Sequence, residues 1–206
     1  MKNSFKIILA LIVVGSLAFI APNDPKSKQI TVVIDAGHGG KDHGQTIDEI
    51  SEKEIVEKIT NKIKSQNRNK DIIIHVTRDT DEFVSLKDRT DYINKIKPDL
   101  VLSLHVNAVK NSTASGIEFF INKENSNYEK SKAIAEKLNE KIVKNHSLKS
   151  RGIKEAKLFV LDKSEVPAVT VELGFLSNLN DRKYLTDDNE QSRIASTILE
   201  FIGEMK

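Results

Sequence analysis

Four short apolar runs, residues 30–34, 72–76, 100–104 and 168–171, stand out against a chain that is otherwise strongly polar. Each is followed by a side chain able to do chemistry: His38, Arg78, His105 and Glu172. Runs of this length, rich in Val and Ile and bounded by turn residues, read as fully buried strands. The first ends in a glycine-rich turn, AGHGGKDHG, that places His38 just past its carboxyl end. Ligands bind at that end of the strands in open α/β sheets. Four reactive groups delivered there predict a site.

Between the strands the apolar period changes to that of a helix. Positions 52, 55, 56, 59 and 63 make one inward stripe, apolar except for Glu52 at its head. Lys53, Glu57, Asn61 and Lys64 make the outer face. Ser51 and Glu54 have the spacing of a capping box, which accounts for Glu54. Glu52 is different, because a carboxylate on a buried face needs a partner. Spacing alone leaves two answers open, the helix dipole or a metal ion. The nearby His38 favours the metal.

Further patterns predict a helix over 85–97, a strand over 116–121, a helix over 128–145, a basic loop over 149–157, a short strand over 158–161, a short helix over 178–184 and a closing helix over 190–203. Arg89 is the odd member of an apolar stripe and is expected to pair with a buried acid. His75, inside its strand, reads as a core residue. Strands alternating with helices predict an α/β fold, a single domain with a twisted, mostly parallel sheet flanked by helices. The pattern does not order the strands.

Charge and composition narrow the chemistry. Among 206 residues, 32 basic and 30 acidic side chains nearly cancel, which argues against a nucleic-acid partner. Cysteine is absent, so disulfides and thiolate zinc sites are excluded, and any metal must use His and carboxylate ligands. Two histidines and a carboxylate with one open position are the ligand set of a hydrolytic zinc site. The glycines of GHGGKD do not have the spacing of a phosphate loop.

The chain opens with Lys2 and Lys6, followed by an almost wholly apolar stretch over 7–21 that is short for a membrane span. Residues 1–21 read as a signal peptide, or as an N-terminal anchor if retained. Residues 22–28 read as a polar linker and 29–206 as the functional domain. Export is therefore expected, without a membrane span in the mature chain.

The motifs DAGHGGKD, SEKE, TRDTD, SLHVNA, GIEFF, RGIKEAKLFVL and PAVTVELGFLSN occur in that order. With them the chain resembles the zinc-dependent N-acetylmuramoyl-L-alanine amidases, the catalytic domains of bacterial cell-wall amidases. The resemblance covers nearly all of residues 29–206. It implies Zn2+ as cofactor, peptidoglycan as substrate, and hydrolysis of the amide between N-acetylmuramic acid and the L-alanine of the stem peptide. His38, Glu52 and His105 fall on the zinc ligands, and Glu172 falls on the catalytic glutamate. Apolar neighbours are expected to raise the Glu172 pKa. Arg78 and Asn107 are expected to contact substrate, and Asp35 or Asn107 to fix the histidine tautomers. His43 stands where the family often has Pro, and the chain between GIEFF and the helix near Ser131 is too short for a blocking insertion. A monomeric, unblocked catalytic domain in the periplasm is expected. A zinc peptidase cutting within the stem peptide serves the same ligand set, and a non-catalytic binder of wall fragments is a further alternative.

Overall fold

The computed structural model describes residues 29–205. The expected signal peptide or anchor (1–21) and linker (22–28) lie outside the described residues. The main strands are β1 (Ile30–Ala36), β4 (Ile72–Val76), β5 (Leu100–Asn107), β6 (Ile117–Ile121), β7 (Ser150–Glu155) and β8 (Ala168–Phe175), while β2 (Thr46–Ile47) and β3 (Ile50–Ser51) form a small hairpin. The helices are α1 (Glu52–Gln66), α2 (Leu86–Ile96), α3 (Tyr128–Asn145), α4 (Phe159–Lys163), α5 (Leu179–Thr186) and α6 (Asp188–Gly203).

The six strands form one sheet in the order β4-β1-β5-β8-β6-β7. The first four run parallel, β6 runs antiparallel to β8, and β7 is parallel to β6. This is the α/β architecture that the alternating pattern predicts.

Side chains alternate between the two faces of a strand, and here the two faces have different fates. Val32, Ile34, Leu102, Leu104, Val169 and Val171 belong to the larger core, under α1, α3 and α6. The stripe Ile55, Val56, Ile59 and Ile63 of α1 is buried there as expected. Each such side chain, fully buried, contributes about 1.5–3 kcal/mol. Val33, Val101 and Ala168 point the other way, into a smaller cluster with Ile93 of α2 and Leu161 of α4. Those two helices have only 11 and 5 residues. They leave the carboxyl end of that face uncovered, and His105 and Glu172 lie on it.

Several expectations are corrected. Strands β5 and β8 do not stop before His105 and Glu172 but continue through them. Residues 150–155 form an edge strand rather than a loop; an edge position has one neighbour and half a solvated backbone, so it needs no apolar run. The apolar stretch at 158–161 opens α4 instead of a strand, since a run that short has no distinguishing period. No capping box forms at α1. Ser51 pairs with Thr46 in the hairpin, and its hydroxyl makes no cap hydrogen bond. Lys53 is buried rather than outward, with its ammonium bonded to the Gly40 carbonyl and to Asp81. By contrast Ser85 caps α2 by accepting from the Asp88 amide.

Candidate metal centre

Three elements converge at the carboxyl ends of β1 and β5. His38 follows β1 in a turn, with its backbone in the left-handed region at φ 60°. Side chains other than glycine are uncommon there, and such residues cluster at functional sites. Glu52 is the first residue of α1, and His105 lies on β5. Glu52 Oε1 is 3.1 Å from His38 Nε2 and 2.9 Å from His105 Nδ1. The two imidazoles stand edge to face, with centroids 5.1 Å apart. One ligand atom from each of the three residues lies within 4.8 Å of the others.

The carboxylate is held independently of the histidines. Oε1 accepts from the Val106 amide at 2.9 Å and Oε2 from the Gln45 amide at 3.0 Å. Burial raises the Glu52 pKa, but hydrogen bonds from His105 and His38 prevail and hold it far below the usual range. Burial pulls His38 down, yet the hydrogen bond and charge of Glu52 lift it to about 9. The same balance raises His105. A buried acid clamped between two imidazoles thus holds protons that a divalent cation would replace. The donor set fits zinc in number and type, and leaves room for a further ligand.

Glu172 stands beside this group, paired with His105 in the register of β8 against β5. Its Oε2 is buried and has no hydrogen-bond partner among the described residues. Burial is the main cause that pushes its pKa up to about 7. The cleft over these residues holds about 300 Å³ and is also lined by Leu86, Asn107, Leu158 and Phe159.

Behind the site, Arg89 reaches from α2 into the sheet. It bonds Asp35 Oδ1 at 2.7 Å and donates to the carbonyls of Ala36 and His38, so it clamps the turn that carries His38. This is the buried acid that the Arg89 pattern requires. Asp35 is consequently spent on Arg89, Ser103 and Thr77, and does not bond a histidine. Asn107 does not bond one either; its Nδ2 donates to Glu118 Oε2 at 3.2 Å. Arg78 does not reach the cleft. Its side chain is closed to solvent, paired with Glu57 at 2.6 Å and bonded to the carbonyls of Ala36, Gly37, Lys53 and Thr80. Five donors on one guanidinium suit that bracing role. His43 faces solvent. Glu118 is a further buried polar group beside the cleft, and its only signal in the sequence is a single charge inside the apolar strand IEFFI.

A family profile described as N-acetylmuramoyl-L-alanine amidase matches residues 32–204. The crystal structure of an N-acetylmuramoyl-L-alanine amidase from Clostridium difficile 630 superposes with a TM-score of 0.81 at 33% identity, covering 86% of this chain and 97% of that one. A probable cell wall amidase LytH from Staphylococcus saprophyticus is 32% identical over 87% of this chain and 59% of its own length. The endolysin of Bacillus phage SPP1 is 35% identical over 84% of this chain and 65% of its own. The chain thus spans less than two thirds of those last two proteins.

Proposed function

Because the chain belongs to the N-acetylmuramoyl-L-alanine amidase family, we propose that it cuts the amide joining the lactyl group of N-acetylmuramic acid to the L-alanine of peptidoglycan stem peptides, with zinc as its cofactor. The observation that carries this reading is the convergence of His38 Nε2, Glu52 and His105 Nδ1 beside the unpaired Oε2 of Glu172. His38, Glu52 and His105 would hold the ion. Bound zinc supplies a Lewis acid, which polarises the amide carbonyl and makes water acidic near neutral pH.

The remaining chemistry falls to the protein. The Val106 and Gln45 amides keep the Glu52 carboxylate in one orientation, and Arg89 keeps the His38 turn in place. Glu172 accepts the proton of the attacking water at Oε2 and returns it to the alanine nitrogen as the C–N bond breaks. A pKa near 7 suits both halves of that exchange. Leu86, Leu158 and Phe159, all partly exposed, line the cleft and offer the substrate an apolar surface to pack on. Asn107 also lines the cleft and is placed to meet the substrate.

We assign residues 29–206 as the catalytic domain, preceded by the leading segment 1–21 and the linker 22–28. The site of action is the cell wall, reached by export, in the periplasm that the sequence reading expects. The test measures zinc and product ends together on purified protein. About one zinc per chain, with new N-terminal L-alanine and peptide-free glycan, is the expected result. Zinc with cut peptides but no new alanine ends would replace the reading with a stem peptidase.

A further inference from the structure

A second polar group sits on the same sheet face as Glu172, one and two strands further out. Glu118 of β6 is paired with Glu172 in register, so the two side chains point to the same face. Glu118 is 2% exposed. Its Oε1 accepts from both Arg151 Nε and Lys154 Nζ of β7, and its Oε2 from Asn107 of the cleft wall. Two cations on one carboxylate leave the group a net positive charge.

The backbone of β7 is bent to make this possible. Residues three apart on a regular strand point to opposite faces. Here the register slips between Ile117 and Phe119, so that Ser150 opposes Ile117 and Ile153 opposes Phe119. The extra residue is a bulge, of the kind that re-aims side chains near active sites. Gly152 sits in it at φ 82°, with nothing within 4 Å of where a Cβ would be. Glycine is therefore needed at this position for its conformation and not for space. The bulge brings Arg151 and Lys154 to the same carboxylate.

The cations are held but not used up. Arg151 is 37% exposed and Lys154 41%. Arg151 lies over the Phe175 ring, 4.9 Å from its centroid, and gives only Nε to Glu118. Among the described residues, its two terminal nitrogens have no hydrogen-bond partner. They form a planar fork suited to a carboxylate.

We propose that Arg151 and Lys154, set by Glu118, form a carboxylate-reading subsite for the peptide part of the substrate. The proposal rests on the amidase reading above. Two strand spacings, about 9.6 Å, separate β7 from Glu172. An extended peptide covers that in about three residues. The carboxylate read is thus carried within the first three residues after the scissile amide.

The test compares two synthetic substrates, an N-acetylmuramoyl tripeptide with free side-chain and terminal carboxylates and the same compound fully amidated. Each is given to the zinc-loaded full chain, to Arg151→Gln and to Lys154→Gln. Wild type should favour the acidic substrate in kcat/KM by about tenfold or more, the worth of one charge-assisted contact, chiefly through KM. The preference should shrink at high salt and collapse toward unity in both variants. A wild-type ratio near one overturns the proposal without any variant needing to fold. So does a variant that slows both substrates equally and keeps the wild-type ratio, since Arg151 would then only brace Glu118. If wild type releases alanine ends from neither substrate, nor from intact peptidoglycan, the amidase reading fails and takes the subsite with it. If it cuts peptidoglycan but neither small substrate, glycan rather than peptide carboxylates governs recognition, and the subsite is refuted alone.

Discussion

His105 and Glu172 face one another across the parallel pair β5 and β8, matched residue for residue in the register. The proposed metal ligand and the proposed base therefore come from the two ends of one rung between adjacent strands, and their spacing is as rigid as the sheet. Immediately beyond them the register slips, so that Asn107 opposes Phe175. A second slip at β7 re-aims Arg151. The row of reactive groups is regular at its centre and irregular at its rims, where the chain must present side chains to a ligand.

Glu172→Gln removes the proton acceptor while keeping the shape and the neighbours. Hydrolysis should fall by about 10²–10⁴-fold. Zinc content should remain that of the wild type, because Glu172 is outside the group of three ligand atoms. Release of peptide from purified wall material, with metal analysis of the same sample, checks both halves. A variant that clears wall at the wild-type rate would remove Glu172 from the mechanism.

The stability of the metal-free protein should fall as pH rises from about 5 to 9. Glu172 has its folded pKa raised from 4.5 to about 7, so the folded state holds an extra proton within that window and loses stability as pH climbs through it. His38 is raised from 6.5 to about 9, and the stability it contributes is complete below 6.5 and gone above 9. The two windows overlap and have the same sign. Bound zinc needs deprotonated ligands, so it binds more tightly as pH rises and opposes the loss. Thermal melts of chelated and zinc-loaded protein at pH 5, 7 and 9 should diverge, the chelated Tm dropping and the loaded Tm holding. Parallel curves would show that the His38–Glu52–His105 group does not take the ion.

Gly37→Ala should weaken metal binding without unfolding the chain. An added Cβ would lie 2.5 Å from His105 Cε1 and 2.8 Å from its Nδ1, so the ring must turn away from Glu52. Disturbing what orients a ligand typically costs about 10–100-fold in metal affinity. Gly203→Ala is the control, since its Cβ would meet only Ile72 Cδ1 at 3.9 Å. Competition with a zinc-binding dye reads both variants, and equal affinities would refute the steric argument.

Where local pattern and tertiary role agree, the sequence could be read. The β1, β5 and β8 runs are buried on both faces, so they are almost wholly apolar and unmistakable, and β4, an edge strand only partly buried, still carries three isoleucines and a valine. Glu52 and Arg89 were visible because each interrupts an apolar helical stripe. Arg78 was misplaced because its position after a strand is the same whether the guanidinium turns toward the cleft or toward Glu57; only the packing of α1 decides. Strand β7 was missed because an edge strand carrying Arg151 and Lys154 looks like a solvated loop. The Glu118 cluster depends on a bulge, and spacing cannot reveal a residue that departs from the period.

Arg89→Met tests the clamp beneath the His38 turn. Asp35 is buried, which would raise its pKa, but the charge of Arg89 and the hydrogen bond from Ser103 prevail and lower it. Its contribution to stability is accordingly present above the ordinary value near 3.8 and lost as pH falls through the folded value. Wild-type stability therefore owes no slope to Asp35 between pH 5 and 8. Without Arg89 the carboxylate is left buried and unpaired, which costs about 3–5 kcal/mol. The Asp35 pKa then rises, and the variant should lose further stability from pH 5 to pH 8, the slope the wild type lacks. Asp35→Asn added to Arg89→Met should recover part of the loss and abolish that slope. Urea titrations of the chelated proteins at the two pH values read these effects apart from metal binding. A single variant as stable as wild type at both would mean that neither the ion pair nor the bonds from Arg89 to the Ala36 and His38 carbonyls hold the turn.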